Sequence, residues 1–123
     1  MSEEKNVCKG GPTLIFACSG AADVGEISDK AARKLTKEGA GSMFCLAGIG
    51  GVVEPIINKT KSASKILAID GCGLDCVKSS LEQAGFDNYI HMRVTDLDME
   101  KGSSPANEEN LAKVTSKAKE MLE

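Results

Sequence analysis

At 123 residues, with 41% hydrophobic and only 3% aromatic side chains, the chain is sized for one domain around a single aliphatic core. Its 15 basic and 18 acidic residues leave a net charge of −3, and the Lys and Arg residues are dispersed. With one Tyr, three Phe and no Trp, there is neither a basic patch nor a stacking platform for nucleic acid. The longest apolar stretch, "MFCLAGIGGVV", falls well short of the ~20 residues that a spanning helix needs, and the polar start "MSEEKNVCKGG" carries no signal-peptide core. The expectation is a soluble, cytoplasmic protein without membrane contact.

In chain order, residues 1–11 read as a flexible leader and 12–123 as one domain. "TLIFAC" (13–18), short and apolar between Pro12 and Gly20, predicts a buried strand. A helix follows, with Asp23 and Glu26 as a capping-box-like pair, Val24, Ile27, Ala31 and Leu35 on one face, and Gly39 as its stop. "SMFCLAGI" (42–49) reads as a second buried strand. Val53, Ile56 and Ile57 suggest a short helix with Pro55 in its first turn. "KILAID" (65–70) is the third strand. The next helix starts near Cys72, carries Leu74, Val77, Leu81 and Ala84 as its apolar stripe, and ends at Gly85. "NYIHMRV" (88–94) alternates as an edge strand does, and Ser104-Pro105 opens a last helix that turns Leu111, Val114, Ala118, Met121 and Leu122 inward. The strand–helix alternation predicts a small doubly wound α/β domain, Rossmann-like or flavodoxin-like, with about four parallel strands and helices on both faces.

Five cysteines in a reducing compartment point to thiols, metal ligands or redox groups before structural disulfides. Cys18, Cys45 and Cys72 recur every 27 residues (45 − 18 and 72 − 45), about one strand–helix unit, each after an apolar run and before a glycine. In a parallel sheet such positions share the carboxyl edge, where α/β folds bind ligands. Cys76 lies one helical turn beyond Cys72, so it can face the same edge. Tetrahedral zinc with four sulfur ligands needs sulfurs just under ~4 Å apart. The competing reading is that each cysteine is a small core hydrophobe, Cys45 inside "MFCLA" above all.

The motifs "CSGAADVGEISDKAARKL", "CLAGIGG" and "AIDGCGLDC", in that order, resemble the DGC domain family, named for a tripeptide that stands here as Asp70-Gly71-Cys72. The resemblance implies a zinc ion held by four cysteines, which fall on Cys18, Cys45, Cys72 and Cys76, and it brings no reaction with it. Cys8 lies outside the matching region. Four thiolates fill a tetrahedral zinc and leave no open position for water, so the expected role is binding, storage, sensing or regulation rather than hydrolysis. The alternative use of the same cysteines is thiol–disulfide redox, with Cys8 as a resolving thiol, or an iron–sulfur cluster; thiols at helix N-termini are expected to have depressed pKa values.

Other features carry less. Asp70 is expected to cap the helix after the third strand, with a role beside the metal as the alternative. The loop "CSGAADVG" lacks the lysine of a phosphate loop and has no arginine of a phosphatase loop. His91, the one histidine, sits mid-strand and is expected to be a surface or packing residue pointing away from the carboxyl edge. A Cys18 nucleophile ranks last for want of a general base.

Overall fold

The computed structural model describes residues 11–123; Cys8 and the proposed leader, apart from Gly11, lie outside the described residues. The elements in chain order are β1 (Thr13–Ala17), α1 (Asp23–Lys37), β2 (Ser42–Met43), α2 (Leu46–Gly50), α3 (Glu54–Lys61), β3 (Lys65–Asp70), α4 (Cys76–Gln83), β4 (Ile90–Arg93), a 3₁₀ turn (Val94–Asp96) and α5 (Glu108–Leu122). All strands run parallel in the order β2-β1-β3-β4, as expected for a doubly wound α/β domain. From β1 the chain first winds outward to β2, then crosses back to β3. The reversal makes the carboxyl ends of β1 and β3 the switch point of the sheet.

The sheet is buried on both faces because its central strands are apolar at every inward position. Ile15, Ala17, Leu67 and Ile69 pack with α1 and α5 around Ile27, Leu35 and Val114. Leu14, Phe16, Ile66 and Ala68 face Ile49, Val77, Leu81 and Phe86 on the other side. Gly39 (φ +82°) and Gly85 (φ +94°) follow the ends of α1 and α4 in the left-handed conformation that stops a helix. Among the described residues β4 is an edge strand, paired with β3 alone. At the opposite edge, the Met43 N–H donates to Thr36 Oγ1 at 2.8 Å, so a side chain of α1 covers the group that another strand could have used. No helix among the described residues is long and apolar enough to cross a membrane.

Four local expectations need correction. "SMFCLAGI" is a strand only at Ser42–Met43; Phe44 still donates to Ile15 O (2.8 Å), and the chain then turns into α2. Gly48 permits this, because a Cβ there would lie 2.7 Å from the Ile56 side chain of α3. A short apolar run does not by its periodicity distinguish strand from buried helix. Second, α4 begins at Cys76, not near Cys72, and Leu74 stands outside it, 71% exposed. Third, α5 begins at Glu108: Asn107 Oδ1 accepts the Asn110 N–H at 2.9 Å and fixes the first turn there, leaving Ser104-Pro105 in the preceding loop. Fourth, Asp23 and Glu26 form no capping box. Ala22 occupies the cap, Asp23 instead accepts the N–H groups of Gly102 (2.9 Å) and Ser104 (2.9 Å), and Glu26 pairs with Lys30 at 2.8 Å.

Candidate functional site

Each of the four cysteines lies beyond the carboxyl end of a strand. Cys18 comes directly after β1, Cys45 is the residue before α2, Cys72 is the second residue after β3, and Cys76 is the first of α4. All four are free thiols, Cys18 and Cys72 half-buried, Cys45 and Cys76 exposed. None is a core residue, Cys45 included. β1 and β3 pair through Ala17 and Ile69, and the Cys18 N–H donates to Ile69 O at 3.0 Å, so Cys18 and Cys72 flank the switch point. Burial, then the charges of Cys18, Asp70 and Cys72, push the Cys76 thiol up, with Lys101 opposing weakly. This reverses the expectation of a depressed value at a helix N-terminus. Cys18 and Cys72 are thus each within electrostatic reach of Cys76. No three cysteine sulfurs among the described residues lie within 4.8 Å of each other. Cys45 lines an open groove of about 630 Å³ with Arg33, Lys37, Met43 and Phe44, and a further one with Ala17 and Ser19, the neighbours of Cys18.

The loops meet because glycine lets backbone touch backbone. A Cβ on Gly71 would lie 3.0 Å from the Val24 carbonyl and 3.1 Å from Gly25 N; one on Gly25 would lie 2.8 Å from Gly20 O. The turn after β3 therefore rests directly on the first turn of α1 and, through it, on the Cys18 loop. Buried Ser28 ties that loop down by donating to the carbonyls of Cys18 and Gly25.

A second, polar group lies beside the thiols, foreseen in the sequence only at Asp70. Asp70 is 1% exposed. Its Oδ1 accepts the Val77 N–H (2.7 Å), its Oδ2 accepts the Lys78 N–H (3.1 Å), and His91 Nε2 lies 2.9 Å from the same Oδ2. Asp70 thus caps α4, as expected. His91 does not point away from the rim: its register with Ala68 sets it beside Asp70, two residues on. Arg93, paired with Asp70, sends Nε and one terminal nitrogen to the two oxygens of Asp75, both at 2.7 Å. The Arg93 guanidinium holds the Asp75 carboxyl below its ordinary range. Asp70, Asp75 and His91 bring ligand-type atoms within 4.8 Å of one another, but every one of these groups already has a partner, which makes them a self-satisfied ion-pair network. The alternation of "IHMR" is legible in the sequence; that its polar positions face α4 rather than solvent comes only from the pairing with β3.

The DGC domain model matches residues 14–118. This chain is a member of the DGC domain family. It is 33% identical over 88 residues to the anaerobic and virulence modulator AnvM of Pseudomonas aeruginosa, an alignment covering 72% of this chain and 67% of that protein. No solved structure matches it. In this DGC domain the three residues of the tripeptide divide the work. Asp70 receives the amides of α4, Gly71 permits contact with α1, and Cys72 is carried to the switch point. The Asp70 carboxylate occupies the N-terminus of α4, and Asp23 Oδ1 accepts the Val24 N–H at the start of α1 (2.8 Å), so carboxylates of the chain itself meet amides at these two helix starts.

Proposed function

We propose that this DGC domain binds one thiophilic divalent metal ion, zinc, through Cys18, Cys72 and Cys76, with Cys45 as the fourth ligand. One observation carries the reading: three free thiols, Cys18 in the turn after β1 and Cys72 and Cys76 at the turn after β3, flank the switch point, on the edge where parallel sheets bind their ligands. Sulfur donors suit zinc, and no three of the sulfurs are yet as close as a closed tetrahedron requires, so binding turns the thiol side chains inward and draws the start of α2 toward the β3 turn. A bound cation would supply the positive charge that the crowded thiols lack and favour their thiolate forms. Four sulfur ligands leave no position for a reacting water, so the role is binding, storage, sensing or regulation in a reducing compartment such as the cytoplasm. The word "modulator" in the name of AnvM fits a regulatory use better than a hydrolytic one.

Redox use of the same cysteines is the second reading. Their exposure and freedom from disulfides favour it, whereas the raised Cys76 thiol weighs against a fast attacking thiolate. Metal analysis of protein purified without supplements separates the two. About one zinc per colourless chain supports the proposal, brown protein with visible absorption replaces zinc by an iron–sulfur cluster, and a metal-free chain that forms an 18–72 or 72–76 disulfide in mild oxidant overturns metal binding. Cys→Ser at 18, 72 or 76 should each lower metal retention. Full retention in Cys45→Ser would reduce the site to three protein ligands.

A further inference from the structure

We infer that Arg93 and His91 of β4 are positioning residues for the two thiols of the β3–α4 turn. The inference rests on the metal-binding reading above and adds to it side chains that need not touch the metal. Cys72 and Cys76 bracket a turn closed by the Asp75 N–H donating to Cys72 O (3.1 Å) and met at its start by the Thr95 N–H on Gly71 O (3.2 Å); within it a Cβ on Gly73 would meet nothing within 4 Å, and Leu74 is exposed. Behind the turn, α4 is anchored by buried Val77 and Leu81. Ahead of it, Gly71 rests on α1. The side-chain ties of the turn are the Asp70 carboxylate, which spans it to the amides of Val77 and Lys78 and is itself contacted by His91, and the fork from Arg93 to Asp75.

Asp75, the residue before Cys76, has a left-handed backbone (φ 53°, ψ 49°), which costs a non-glycine residue free energy. Helix capping does not account for its side chain, because Asp75 makes no side-chain cap bond and Asp70 already takes the amides of α4. What the Asp75 carboxylate does is bind Arg93, with His91 Nε2 3.6 Å away; Asp96 shares the guanidinium at 3.8 Å. The ion pair thereby holds the direction from which the chain enters Cys76. A turn held in this way presents its two thiols at a set separation, and less order has to be imposed when a metal binds.

The test uses the full chain with reduced thiols, titrated with Co²⁺ and then Zn²⁺, together with amide hydrogen exchange of the metal-free proteins. Arg93→Met should still bind one metal, but zinc about ten- to hundredfold more weakly. Its sulfur-to-cobalt absorption should shift, and faster exchange should be confined to residues 72–78. Arg93→Lys, which keeps the charge without the fork, should recover part of the loss. Asp75→Gly, free of the backbone strain but lacking the carboxylate, should behave like Arg93→Met. Wild-type zinc affinity in Arg93→Met would overturn the inference, as would an unchanged cobalt spectrum with loosening spread over the whole domain, the mark of a purely structural role. A wild-type chain that takes up neither metal would instead overturn the metal-binding reading, and the exchange pattern would still decide whether Arg93 holds the turn.

Discussion

The turn after β3 and the turn after β2 each deliver a cysteine to the same rim, yet they are built in opposite ways. The β3 turn rests on α1 through Gly71, is capped from below by Asp70, and is tied laterally by Arg93. The β2 turn leaves a two-residue strand, passes Cys45 with no side-chain cap on α2, and leads on to Val52, a β-branched residue that is 70% exposed with φ at +55°. The difference is one of connectivity. β3 is central, with a neighbour on each side to anchor the turn at its end, whereas β2 is an edge with one. The metal site proposed above would span both turns, with a fixed wall in the tied β3 turn and an adjustable one in the uncapped β2 turn.

The largest break in this contrast should come from Asp70→Ala. It strands two amides of α4 and the ring of His91, and should cost about 2–4 kcal/mol in urea unfolding. A loss below about 1 kcal/mol would mean that the fixed wall is not held by this carboxylate. Gly71→Ala should cost about 1–3 kcal/mol, because the new methyl meets the Val24 carbonyl and backbone must yield. Gly73→Ala, two residues on and open to solvent, should change stability by less than about 0.5 kcal/mol. Equal effects of the two would sink the account of the close approach.

On the adjustable side, Thr36→Val should cost about 0.5–1.5 kcal/mol by removing the acceptor for Met43 N–H, and should raise self-association by uncovering the β2 edge. Sedimentation at increasing concentration would reveal an edge that was never protected. The smallest expected effect concerns Asp23. The amides of Gly102 and then Ser104 hold its carboxyl below the ordinary range, so its contribution is present above the unfolded carboxylate range and is lost as pH falls through the lower folded value. Thermal unfolding of Asp23→Asn should therefore show a flatter acid limb than wild type, with β3 and its turn unaffected.

Much of the fold is legible in the residues themselves. "KILAID" is a strand over the residues expected, and the helices after β1 and β3 end where Gly39 and Gly85 stop them, because short apolar runs and left-handed glycines act locally. "SMFCLAGI" misleads for an equally local reason: an apolar run with several bulky residues suits a strand until Gly48 meets Ile56 from another helix. The even spacing of Cys18, Cys45 and Cys72 foretells a common rim, since the strand–helix repeat alone decides which end of the sheet a residue reaches. Tertiary structure decided the rest. The order β2-β1-β3-β4 puts the strand before Cys45 at an edge of the sheet, beside β1, and the register of β4 on β3 sets His91, an expected surface or packing residue, against Asp70, and Arg93 against Asp75. Those outcomes depend on which strands become neighbours, and neighbours in a parallel sheet are joined by crossovers of a dozen residues or more, beyond the reach of any local pattern.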